Sequence, residues 1–148
     1  MAFKLNINLD SFTLNRLITG QIWFDVEKEA FPDNRWVDFP VIILGWWLEN
    51  LKPLVFAKET LCECRFMDGP YLFKVLIEDD LNWQITFIES RLSENICATV
   101  TNINHKDFLQ MLLKLTKDVV AFCEKQKWES KDVDILSELL NFYKELEI

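Results

Sequence analysis

From Leu54 to Ile103 apolar and polar residues alternate, and clusters of turn formers interrupt the alternation at regular intervals. A period of two marks half-buried strands, because successive side chains of a strand point to opposite faces. Thr60, Cys62, Cys64 and Phe66 share one face, Asp68-Gly69 is a strong hairpin signal, and Tyr71, Phe73, Val75 and Ile77 share a face of the returning strand. Glu78-Asp79-Asp80-Leu81-Asn82 forms the next turn. Trp83, Ile85 and Phe87 then alternate with Gln84, Thr86 and Ile88. After the polar segment Glu89–Asn95, Ile96, Ala98 and Val100 alternate with Cys97, Thr99 and Thr101. Four strands joined by short turns predict an antiparallel meander. Successive turns of a meander lie at opposite ends of the sheet, so residues 78–80 are expected far from 89–94.

The flanks add two N-terminal strands and three helices. Residues 3–9 and 14–24 read as strands, the second broken near Thr19-Gly20. The stretch 25–36 is acidic and irregular, with Pro32 and Asp33-Asn34 as turn formers. A helix is predicted near 39–51, with Asp38 as N-cap, Pro40 in the first turn and Lys52-Pro53 as its stop. Val41–Leu48 is apolar around the whole circumference, which suits a helix sandwiched in the core or one with a face that docks onto something else. Asn104 caps a helix whose stripe is Phe108, Met111, Leu112, Leu115, Val119, Phe122 and Cys123. Ser130 or Asp132 caps another, striped by Val133, Leu136, Leu139, Leu140 and Tyr143. The expected fold class is α+β: an antiparallel sheet, the meander plus one or two N-terminal strands, packed on one face by the helices. A sheet covered on both faces is the alternative.

With 148 residues, half of them hydrophobic, the chain makes a single domain, 1–148, that holds a core without disulfide or metal staples. The N-terminus lacks the pattern of a secretory signal, and the longest apolar run, Phe39–Leu48, is far short of the ~20 residues that span a bilayer. A cytoplasmic protein that keeps its four cysteines as thiols is expected.

Chemistry is sparsely encoded. Cys62 and Cys64 point to the same side of a strand, but a structural zinc site needs four ligands, and the chain has one histidine and no CxxC pair. The two read as small buried core residues. His105, the only imidazole, follows a helix N-cap and has no identifiable nucleophile beside it. Asp25, Asp33, Asp38 and Asp68 lie nearest aromatic residues and are the carboxylates to inspect for acid–base work, although Asp38 and Asp68 already have cap and turn roles. Three glycines at 20, 45 and 69 build no phosphate loop. Neither a metal, a cofactor nor an enzymatic activity is expected.

Charge and aromatic content say more. The net charge is −8, and only four residues are arginine, which disfavours a nucleic-acid binder. Residues 21–49, 78–94 and 129–148 contribute −4 each, so the acidity is concentrated. Trp23, Phe31, Trp36, Phe39, Trp46 and Trp47 crowd into the first of these segments beside Asp25, Glu27, Glu29, Asp33 and Asp38. They either anchor a partner, with carboxylates steering its approach, or seal one edge of the core.

The segments Trp36-Val37-Asp38-Phe39-Pro40, Leu44-Gly45-Trp46-Trp47-Leu48 and Phe66-Met67-Asp68-Gly69-Pro70-Tyr71 resemble the small cytosolic immunity proteins encoded beside bacterial polymorphic toxins, including those of contact-dependent growth inhibition. The resemblance covers roughly the middle third of the chain and implies stoichiometric binding of one cognate toxin, often a basic nuclease. The expected function is thus non-catalytic neutralisation of a basic toxin domain, with no nucleic acid or membrane as partner. Trp23, Asp25, Glu27, Glu29, Asp33, Trp36, Trp47, Glu78, Asp79 and Asp80 are the candidate contact residues. The alternative is a small-ligand or enzymatic domain with a pocket roofed by Trp36, Trp46 or Trp47.

Overall fold

The computed structural model describes residues 3–147. Strands β1 (Phe3–Leu14), β2 (Ile18–Val26), β3 (Glu29–Phe31) and β4 (Val37–Asp38) precede helix α1 (Pro40–Val55). Strands β5 (Leu61–Arg65), β6 (Tyr71–Ile77), β7 (Asn82–Ser90) and β8 (Glu94–Asn104) follow, and helices α2 (His105–Lys125) and α3 (Lys131–Glu145) close the chain. The fold is α+β, as the patterning predicts.

β5 to β8 form the expected meander in the order β5-β6-β7-β8, in the register that aligns Cys64, Phe73, Phe87 and Ala98. The N-terminal strands form a second antiparallel sheet in which β2 pairs with β1 along one edge and with β3 and β4 along the other. The break between β1 and β2 falls at residues 15–17, and Gly20 lies within β2. A Cβ there would sit 2.3 Å from Cδ1 of Phe12, so this glycine gives the Phe12 ring its space and interrupts nothing.

The two sheets meet through aromatic rings. Phe24 of β2 lies 5.2 Å from Phe73, 5.1 Å from Phe87 and 5.8 Å from Trp47, centroid to centroid. Phe108 of α2 packs at 6.0 Å from both Phe3 and Trp83. The core face of the meander therefore meets the first sheet, α1 and α2. α3 lies over α1 and α2, and its buried Tyr143 hydroxyl donates to the Leu48 carbonyl. This differs from the expected arrangement, in which both C-terminal helices cover the meander, because the first sheet occupies much of that face. The outer face of the meander carries exposed Leu61, Leu76 and Ile96, so the sheet is not covered on both sides.

Two boundaries of α1 also differ. Its N-cap is Phe39, which makes no side-chain cap bond, and Pro53 lies inside the helix. Asp38 is one residue too early to cap, and it is buried, 1% exposed. It accepts hydrogen bonds from the Trp36 indole (2.9 Å), from the Phe39 amide (2.8 Å), and from the Met67 and Asp68 amides (3.2 Å each). Burial pushes its pKa up, and those four donors pull it down. Asp38 thus ties the first sheet to the β5–β6 loop. The other two caps are as expected: Asn104 accepts from the Lys106 and Asp107 amides, and Ser130 from Val133.

Candidate functional site

Adjacent residues of a helix point about 100° apart, so the Trp46-Trp47 pair must divide between environments. Trp47 joins Ile43, Leu44, Leu48, Leu51 and Leu54 on the buried face. It is 0% exposed, and its indole N–H donates to the Arg65 carbonyl at 2.7 Å. Trp46 is 42% exposed and shares the outer face with Ile42, Glu49 and Asn50. The expectation that Trp47 meets a partner is corrected here: it is a core residue, and the exposed indole is Trp46. Positions 42, 46, 49 and 50 follow helical spacing and end in two polar residues, so the pattern that separates the pair was present in the sequence.

The outer face of α1 faces α3 and the edge of β5 across a groove of about 650 Å³. Ile42, Trp46, Ile135 and Leu139 supply its apolar surface, and Glu49, Glu63 and Asp132 its carboxylates. Asn50 donates to the Glu63 carbonyl (3.0 Å) and Trp47 to that of Arg65, so α1 satisfies the outward carbonyls of an edge strand that would otherwise be open. Glu63 pairs with Arg65 at 2.5 Å and Glu49 with Lys52 at 3.1 Å, whereas Asp132 has no ion-pair partner among the described residues. Glu49 belongs to the first acidic segment and Asp132 to the third. The fold thus brings two of the three acidic segments to one apolar groove.

The other candidate residues lie elsewhere. Asp25 is exposed and Trp23 half-buried on the outer face of the first sheet, where the Asn6 amide donates to Asp25 at 2.6 Å. Glu27 and Glu29 are exposed at the β2–β3 turn, and Asp33 is exposed, accepting from the Asn34 amide at 2.8 Å. Trp36 is half-buried, its ring 5.2 Å from that of Tyr71 and its N–H bound to Asp38. Its aromatic character serves that tie between sheet and loop.

Glu78, Asp79 and Asp80 are exposed at the β6–β7 turn. Glu78 accepts from the Asn102 amide of β8 at 2.8 Å. Asp79 accepts from the Leu81 and Asn82 amides at 2.9 Å each, and these bonds hold its carboxyl below the usual range. It organises the turn, which leaves Asp80 as the member without such a role. Residues 78–80 and the 89–94 segment do sit at opposite ends of β7, although Glu89 and Ser90 are its last residues and Glu94 begins β8, so the turn itself is 91–93.

The remaining titratable candidates have structural surroundings. Cys64 is fully buried, and burial together with Cys62 raises its thiol pKa. His105 packs against Trp83 at 5.6 Å, and partial burial lowers its pKa. Among the described residues, no group of three or more His, Cys, Asp or Glu is placed to hold a metal ion, and no helix is long and apolar enough to cross a membrane. Comparison with protein-family models, with curated proteins and with solved structures finds no match to this chain.

Proposed function

We propose that the chain is a non-catalytic immunity protein that binds a basic bacterial toxin domain and blocks it, with the α1–α3 groove as its anchoring surface. The observation that carries this reading is Trp46, a large aromatic side chain exposed in an apolar groove rimmed by Glu49, Glu63 and Asp132. Exposed tryptophan over a firm apolar floor is the composition of a binding hot spot, and the carboxylates around it favour approach of a cationic partner. Ile135 of α3, also 43% exposed, doubles the apolar anchor. The net charge of −8 acts at longer range and in the same direction.

The direct test pairs this chain with the toxin domain of the reading frame adjoining its own. The expected result is a one-to-one complex that protects cells from that domain, with an association rate that falls as salt is raised. Absence of protection, or an association rate indifferent to salt, overturns the reading. A second reading, a small-ligand site roofed by Trp46, rests on the groove volume, which lies in the range of such sites. It ranks lower because Arg65 is paired with Glu63, Glu49 with Lys52 and Asn50 with the Glu63 backbone, which leaves Asp132 alone among the lining carboxylates without an ion-pair partner among the described residues.

A further inference from the structure

The two outer edges of the meander are treated differently. β5 is covered by side chains of α1, whereas β8 pairs with β7 on one side and with no strand on the other among the described residues. Such an edge offers a row of backbone donors and acceptors to any extended chain. Proteins commonly guard it with charged side chains or proline on the strand itself. After Glu94, β8 carries neither: it reads Asn-Ile-Cys-Ala-Thr-Val-Thr-Asn-Ile-Asn, and Ile96, Cys97, Thr99 and Thr101 are exposed. Irregularities in its pairing with β7 on either side of Ala98–Val100 limit the regular stretch to a few residues, so only a short segment could add in register.

Acidic groups stand beside this edge on other elements. The β2–β3 turn, Val26–Glu29, forms a groove of about 860 Å³ with Cys97–Thr99, which sets Glu27 and Glu29 along it. Four residues on, about 13 Å at strand rise, Glu78 of the β6–β7 turn accepts from the Asn102 amide and pins that end of β8 to the meander. Lys28 is the one basic residue lining that groove. A second copy of this chain would bring like charges against these groups, and an acidic peptide would do the same.

We propose that the open edge of β8 takes up a short, extended, lysine- or arginine-bearing segment of the partner as a fifth strand of the meander. Main-chain bonds would supply the attachment, and Glu27 and Glu29 the selection for positive charge. The identity of the partner rests on the function proposed above; the edge itself does not, and it can be tested without the toxin.

The probe is a terminally blocked octapeptide of alternating lysine and valine. Its controls are the same peptide N-methylated at alternate residues and a version with glutamate for lysine. Amide exchange of the full chain is followed with each. The expected result is at least about tenfold slower exchange at those amides of Ala98–Val100 that point away from β7, with the lysine peptide alone, and loss of that protection in the Glu27→Lys, Glu29→Lys double variant. Equal binding of the N-methylated peptide with β8 unprotected overturns strand addition and leaves the partner-binding reading standing. No binding of the lysine peptide overturns both the strand addition and its charge selection. A Trp46→Ala variant is silent in this assay, so failure here and failure of the α1–α3 groove are distinguishable.

Discussion

The α1–α3 groove and the β8 edge are both flanked by carboxylates, yet they offer a partner different things. The groove presents side chains, with Trp46 and Ile135 held on two packed helices and the neighbouring strand edge already satisfied by Trp47 and Asn50. The β8 edge presents backbone, with small and β-branched side chains and charges supplied from the neighbouring β2–β3 turn. Recognition at the groove should depend on the size and shape of what fills it. Recognition at the edge should depend on an extended main chain and a positive charge. One acidic chain can therefore hold two surfaces whose selectivities respond to different substitutions.

The sharpest division is within the tryptophan pair. Trp47→Ala removes a fully buried ring and the donor to the Arg65 carbonyl, and should cost about 3–5 kcal/mol of folding free energy, read by denaturant titration. Asp38→Ala leaves four donors without their acceptor and should cost about 3 kcal/mol. Because Asp38 joins the first sheet to the β5–β6 loop, this loss should appear as a fall in global stability with no preference for either surface. A neutral result for either variant would remove the structural basis for separating core from surface here.

Trp46→Ala should leave stability within about 0.5 kcal/mol while weakening the toxin complex by about 2 kcal/mol or more, roughly thirtyfold. The two substitutions thus change different quantities one residue apart. Glu27→Lys with Glu29→Lys should act on the edge alone, lowering the association rate of a basic segment without a change in melting temperature. Gly45 lines the groove, and a Cβ there would meet only Leu139 Cδ1, at 4.0 Å. Gly45→Ala should therefore raise stability by about 0.5–1 kcal/mol, while the added methyl narrows the groove and lowers affinity for what fills it.

What could be read from the chain was local. The meander, the Asn104 and Ser130 caps and most of the apolar stripes of α2 and α3 follow from spacings within one or two elements, and the observed elements reproduce them, except that Met111, Phe122 and Leu140 are half-buried and the buried face of α2 takes in Leu109, Thr116 and Val120. The features that went unread depend on distant residues. Asp38 looks like a cap because its neighbours are a helix start, and its role appears only when Met67 and Asp68, about thirty positions on, fold against it. Gly20 looks like a break until Phe12 is seen over it.

The groove joins Trp46 to Ile135 across most of the chain, and the acidic β2–β3 turn reaches β8 only through the packing of one sheet on the other. Charge counting located the acidic segments but could not say which would meet. Trp46 is a different case: helical spacing could have assigned it to the outer face of α1, yet the expected contact is Trp47, because a helix apolar around its whole circumference hides which indole faces out.

The central claim is that an acid-rimmed surface anchored by Trp46 captures a basic toxin domain. Its most direct test is calorimetric titration of the chain, as wild type and as Trp46→Ala, with the toxin domain of the adjoining reading frame at one ionic strength. One-to-one binding is expected, weakened roughly thirtyfold or more by the substitution, with unchanged thermal unfolding. No binding by the wild type, or equal affinity of the two, would contradict it.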